Sequence, residues 1–159
     1  MKIIALLFIV SFSLGARSQD CSDVPSLNRQ IVKLAQGKIK KKVGKGECWD
    51  LAYYVLQETN AEWDKFEVYG RLINPKKECI YPGDIIQFEK IKLKWKDGKY
   101  TYSESMMHHT AIVYKVKDKN NIVLLHQNTG EHGKKVGVSD FNFEAIVSGK
   151  LFIYRPVKN

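Results

Sequence analysis

Cys48 lies between a glycine-bearing loop, Val43-Gly44-Lys45-Gly46, and an apolar, helix-patterned run, Asp50-Leu51-Ala52-Tyr53-Tyr54. A helix start carries partial positive charge and unpaired N–H groups, and both favour a thiolate. A thiol whose pKa is lowered in this way is a nucleophile near neutral pH. About sixty residues on, His108-His109-Thr110-Ala111-Ile112-Val113 begins as histidine and continues as a strand pattern. A second strand pattern ends in His126-Gln127-Asn128. A cysteine, a histidine and a further polar residue, in that order, can perform amide chemistry. His109 would take the thiol proton and return it to the leaving amine. His126 or Asn128 would hold the imidazole tautomer, and the Cys48 N–H would donate to the oxyanion.

Each of these residues has a plain alternative. Cys48 could be an inert core thiol, and His109 a satisfied histidine at a strand start. His126 and Asn128 could simply close a turn. His108 would face the opposite way from His109. Asp50 suits the first turn of a helix, and His132 reads as an exposed loop residue. A zinc site built from His108, His109, His126 and His132 lacks a recognised ligand spacing. No phosphate-binding loop, dinucleotide glycine motif or calcium loop occurs, so no cofactor is expected.

The elements that must position these groups follow from periodicity. Pro25 to about Lys42 predicts a helix, with Leu27, Ile31, Leu34 and Ile39 as its apolar stripe. Glu47 to about Glu58 predicts a second helix, buried through Leu51, Ala52, Val55 and Leu56. From Pro82-Gly83-Asp84 onward the pattern is of strands: 85–88, 90–96, 99–103, 109–117, 121–128, 134–138 and 150–155. Between 90 and 96, Lys90, Lys92, Lys94 and Lys96 alternate with Ile91, Leu93 and Trp95, and Asp97-Gly98 is a hairpin signal. The expected fold is α+β, with N-terminal helices packed on an antiparallel sheet in one domain over 19–159. A tight turn at Lys119-Asn120 would pair Val113 with His126 and Ala111 with Asn128. It would put His109, His126 and Asn128 on one face, with Asn128 diagonally beside His109.

Composition bounds the setting. Residues 1–18 read as a signal peptide, with basic Lys2, an apolar run from Ile3 to Leu14, and Ala16-Arg17-Ser18 as the cleavage site. The apolar run is short for a membrane span. Export makes the protein secreted, either extracellular or periplasmic. Losing Lys2 and Arg17 takes the net charge from +9 to +7. Such a chain is drawn to anionic wall or membrane surfaces, for which Lys90, Lys92, Lys94 and Lys96 are the candidate stripe. The same lysines could instead be a solvated strand face that deters edge pairing. No specific nucleic-acid partner is expected, and the chain reads as a monomer. Three cysteines leave an odd one in an exported protein. With Cys48 free, Cys21 and Cys79 are the bridging candidates, or else two buried thiols.

These motifs together resemble the CHAP family, the cysteine, histidine-dependent amidohydrolases/peptidases. Gly46-x-Cys48 resembles its nucleophile motif, and Tyr81-Pro82-Gly83-Asp84-Ile85-Ile86-Gln87-Phe88 its Pro-Gly-Asp strand start. His109-Thr110-Ala111-Ile112-Val113 resembles the histidine strand, Leu124-Leu125-His126-Gln127-Asn128 the strand often reading Leu-Glu-Gln-Asn, and Tyr154-Arg155-Pro156 the closing strand. Many members carry a glutamate where this chain has His126. In the related γ-D-glutamyl-diaminopimelate endopeptidases the third residue is a histidine. The resemblance implies a papain-like cysteine peptidase core and hydrolysis of amide bonds in peptidoglycan or its peptide fragments. Two other functions fit the same residues: a non-catalytic wall-binding module, and a thiol acyltransferase that resolves its acyl-enzyme with an amine or lipid.

Overall fold

The computed structural model describes residues 21–158, and the signal-peptide expectation for 1–18 lies outside them. Two helices, α1 (Ser26–Gln36) and α2 (Asp50–Glu58), precede the sheet strands. The strands are β1 (Ala61–Glu62), β2 (Arg71–Leu72), β3 (Ile85–Asp97), β4 (Tyr100–Val116), β5 (Asn121–His126), β6 (Gly137–Asn142), β7 (Ile146–Arg155) and β8 (Val157–Lys158). Six of them form an antiparallel sheet in the order β2-β7-β3-β4-β5-β6, and β1 pairs with β8.

Apolar residues separate by strand parity into two cores. Ile85, Ile112 and Leu125 face the helices and pack with Leu27, Ile31, Leu51, Ala52 and Val55. Ile86, Phe88, Ala111, Val113 and Leu124 face the other way and pack with Phe141 and Ile153. Phe88 on β3 reaches Phe141 on β6 with ring centroids 5.2 Å apart, so the sheet curls around this second core.

Both helices are shorter than the periodicity predicts. After Gly37 the chain leaves α1, and Lys40 takes a left-handed φ of 65°. The backbone of Lys40 and Lys41 bonds Val136 instead, which removes the predicted basic helix end. The strands predicted at 85–88 and 90–96 are one strand, as are 99–103 and 109–117. Lys90, at φ 53°, resets the alternation, so Ile91 and Leu93 join the core that Ile86 and Phe88 began. Beyond it Lys92, Lys94 and Lys96 are exposed along the projecting hairpin.

The register between β4 and β5 also differs from expectation. Val113 pairs with Leu124 and Ile112 with Leu125, a displacement of two residues from the predicted pairing. The turn is wider than two residues, because the Asp118 carboxylate accepts from the N–H groups of Asn120 and Asn121, and this displaces the pairing by one residue at Val116–Ile122. A bulge between Val113 and Lys115 adds the second. An even displacement preserves parity. His109 and His126 therefore stay on one face, and continuing the register puts His126 opposite Ala111. That is the position the tight turn would have given Asn128.

Anchors at the strand starts complete the frame. Asp84, fully buried, accepts from Arg155 Nε (3.1 Å) and a second guanidinium nitrogen (2.9 Å), from the Tyr81 N–H (2.8 Å) and from Asn28 (2.9 Å). Gly83, at φ 88°, leaves no room for a Cβ against the Asn28 backbone. Cys21 and Cys79 are joined in a disulfide, and Cys48 is the free cysteine.

Candidate active site

Cys48 is reached by a loop that the sequence pattern makes tight. Gly44 and Gly46 have φ of 57° and 86°, and a Cβ at either would run into Asp50 or Lys134. Asp50 turns back to accept the Glu47 N–H at 2.9 Å. The helix itself starts at Asp50, two residues after the thiol. Gln127 holds this loop against the end of β5. Its side chain, fully buried, accepts from the Val43 N–H (3.2 Å) and donates to the carbonyls of Val43 (3.0 Å) and Glu47 (2.8 Å).

The thiol lies against Thr110, whose backbone and hydroxyl both interact with it, and near Tyr69. Thr110 is fixed in turn by its bond to Gln87 (2.7 Å) and by Tyr69 Oη (3.2 Å). Burial pushes the Cys48 thiol up from its ordinary value, and the bonds from Thr110, Trp49 and its own N–H offset part of that rise. The expected lowering by a helix start is thus overturned. Desolvation of the charged form outweighs the few dipoles directed at the sulfur.

His109 precedes Thr110 on β4 and so presents its ring on the opposite side of the strand. Its Nε2 lies 3.0 Å from His126 Nδ1. Among the described residues nothing bonds its Nδ1, and no hydrogen bond joins it to Cys48. Thiol and imidazole thus flank one short stretch of β4, on neighbouring residues. Burial pushes His109 down to about 4 and His126 down to about 3, with neighbouring histidines adding to both shifts. Both rings are therefore neutral at neutral pH.

Asn128 does not reach His109. It sits past the end of β5 at φ 62° and donates to Glu47 Oε2 at 2.9 Å. His108 faces the helix side, where its Nδ1 lies 2.8 Å from Glu89 and its Nε2 3.4 Å from Glu67. Glu67, Glu89 and His108 are the one group among the described residues with ligand atoms close enough for a metal ion. His132 is not a free loop residue. Its Nε2 is 3.2 Å from Ser139 Oγ, which is also 2.9 Å from His126 Nε2. A cavity of about 510 Å³ opens on the imidazole side, lined by His108, His109, His126, Asn128 and Ser139 among others. Cys48 is not in its wall.

Sequence reasoning passed over Thr110, Gln127 and Ser139. Gln127 was within reach: a residue between two that share one strand face must project from the other. Ser139 was not, because β6 carries no alternation that separates it from the loop before it.

Residues 25–159 match the AIM3/BBC1 cysteine proteinase-fold domain. The chain belongs to that family. The family carries the cysteine proteinase fold, consistent with the two helices on a large antiparallel sheet, although here the sheet dominates. No curated protein matches the chain. Two solved structures of Ly7917 are similar, each at 16% identity. One has a TM-score of 0.47 and covers 80% of this chain. The other, determined with the hydrolyzing product of MDP, has a TM-score of 0.49 and covers 81%. The chain spans 62% of the length of each.

Proposed function

We propose that this protein is a secreted cysteine hydrolase that cleaves amide bonds in peptidoglycan fragments through Cys48, His109 and His126. The observation that carries the reading is the His109–His126 bond. It engages Nε2 and leaves Nδ1 without a hydrogen-bond partner among the described residues, one residue from the threonine that touches the thiol. Thiol and imidazole lie on opposite sides of β4 in this structure, so the reading requires substrate binding to bring Sγ and His109 Nδ1 together. The substrate class rests on the CHAP-like motifs at 46–48, 81–88, 109–113 and 124–128. Export rests on residues 1–18.

With a raised thiol and a lowered imidazole, the resting pair is neutral. His109 Nδ1 then removes the proton as Sγ attacks the carbonyl carbon, which is general-base chemistry rather than attack by a standing thiolate. The Cys48 N–H, which has no carbonyl acceptor among the described residues, would donate to the developing oxyanion. His109 returns the proton to the departing amine. Water then attacks the thioester, with His109 again as base, and releases the acid. His126 accepts the Nε2–H throughout and steadies the transient imidazolium.

Soluble muropeptides incubated with parent protein and with Cys48→Ala, read by mass spectrometry, test this reading. The parent is expected to yield a new amine and a new carboxylate; Cys48→Ala, with a parental fold, is expected to yield neither. Release of intact peptide from sugar or cleavage inside the peptide identifies the bond. Cleavage by Cys48→Ala at the parental rate rejects the thiol mechanism.

A further inference from the structure

The hydrogen-bond chain does not stop at His126. His109 Nε2 faces His126 Nδ1 at 3.0 Å, His126 Nε2 faces Ser139 Oγ at 2.9 Å, and His132 Nε2 faces the same oxygen at 3.2 Å. Neutral imidazoles each carry one ring hydrogen, and a hydroxyl carries one. The direction of the bonds along the chain is therefore coupled from end to end. If Ser139 donates to His126 Nε2, His126 carries its hydrogen on Nδ1 and donates to His109 Nε2. His109 then holds its own hydrogen on Nδ1, where a base must be bare. If Ser139 accepts from His126, every bond reverses and Nδ1 of His109 is bare.

We infer that Ser139 and His132 are positioning residues: His132 accepts the Ser139 hydrogen, and Ser139 thereby accepts from His126 and fixes His109 in the base-competent tautomer. Either direction gives each of the three bonds one donor and one acceptor, and the need for a bare His109 Nδ1 selects this one. The His132 Nδ1–H is the far terminus, as the bare His109 Nδ1 is the near one. The fold makes room for this arrangement. A Cβ at Gly137, on the strand that also carries Ser139, would lie 1.8 Å from His132 Cδ2, so only glycine there lets the ring reach Ser139. Gly137 has no left-handed φ that would otherwise require it, so its packing against His132 is what an added methyl disturbs. Glu131 stands 3.6 Å from His132 Nε2, too far for a hydrogen bond that would compete with Ser139.

The catalytic meaning of this chain rests on the hydrolase reading, so the experiment has a readout that does not. Nitrogen-15 NMR of the imidazoles at neutral pH reads the tautomers directly. Nε2–H is expected for His109 and His126, and Nδ1–H for His132. In Ser139→Ala and in Gly137→Ala, His126 is expected to become a mixture, and in Ser139→Thr to return to the parental form. In activity, Ser139→Ala is expected to lower kcat about tenfold, the equivalent of one hydrogen bond, with KM unchanged. Adding His132→Ala to it is expected to cost nothing more, since His132 acts through the hydroxyl. Nδ1–H on His126 in the parent, or additive losses in the double variant, would overturn the inference. Parental tautomers as stated in a protein that leaves muropeptides intact would support the chain and reject the hydrolase.

Discussion

On the helix side of β4, Cys48 is held through the main chain. Gln127 grips the carbonyls of Val43 and Glu47, and Thr110 presents its backbone and hydroxyl to the sulfur. On the other side, His109 is held by one side chain, His126, which is held by another, Ser139. The first arrangement resists displacement whatever the protonation state. The second depends on where single hydrogens sit. The difference separates two requirements of a nucleophile–base pair. The thiol has to be in place, whereas the imidazole has to be in place and in one tautomer. Loss on the thiol side is therefore expected to appear as lost stability, and loss on the imidazole side as lost rate.

His126→Ala gives the largest effect of the second kind. It removes the only hydrogen-bond partner of His109 Nε2 among the described residues and is expected to lower kcat/KM by ~100-fold, about 2.7 kcal/mol of transition-state stabilisation. Steady-state kinetics on a soluble muropeptide measures it. A loss under tenfold would show that His109 is oriented by packing against Phe88, whose ring centroid lies 6.1 Å from its own.

Gln127→Ala gives the corresponding effect of the first kind. Three hydrogen bonds to the nucleophile loop disappear, and the Val43 N–H and carbonyl lose their buried partner. Water can reach the Glu47 carbonyl more readily, so the expected cost is about 2 kcal/mol in urea unfolding. Unchanged stability with collapsed activity would erase the contrast between the two sides.

Much of this frame was legible in the sequence. The helix–loop–Cys48 order follows from local patterns, and the Cys21–Cys79 bridge was one of two readings once Cys48 was left free. His109 and His126 share a face as expected only because the turn and the bulge each shift the pairing by one residue. The register does not follow from local patterns. It was set by Asp118, whose carboxylate caps two successive N–H groups and widens the turn, together with a bulge between Val113 and Lys115. Nor does the direction of the thiol shift, because a helix start is visible in sequence and the burial around it is not. The phase reset at Lys90 was visible only as a gap between two alternating runs. Its cause, a left-handed residue facing the backbone approach at Gly149, belongs to the packed sheet.

Acidity tests the neutral state of both histidines. Their folded values, about 4 and about 3, lie below the ordinary 6.5, so the unfolded chain binds more protons between those values. Their contribution to stability is therefore complete above about pH 6.5 and is lost as pH falls toward 4. The urea midpoint is expected to drop between pH 7 and pH 5, and to drop less in His126→Asn. Thiol alkylation tests the other side of the strand. Iodoacetamide is expected to react slowly at pH 7 and to accelerate only in the alkaline range, since burial raises the Cys48 thiol. Rapid alkylation at pH 6 would establish a standing thiolate–imidazolium pair and replace the general-base mechanism.

The smallest expected effect is at Asn128, which the sequence offered second to His126 as the orienting residue. Its amide donates to Glu47, which Lys134 also approaches at 3.4 Å, so Asn128 belongs to the thiol side of the comparison. Alanine there would confound two effects, because the residue sits at φ 62°, where a Cβ is strained and asparagine is tolerated better than most. Asn128→Gly removes the amide and keeps the backbone at ease. The bond it loses is solvent-exposed and serves a loop already clamped by Gln127. The expected cost is therefore under about 1 kcal/mol in stability and less than about fivefold in kcat/KM. Kinetics of Asn128→Gly beside His126→Ala on one substrate decides the order. A larger loss at Asn128 would mean that substrate binding draws the end of β5 inward and hands the orienting role to the amide.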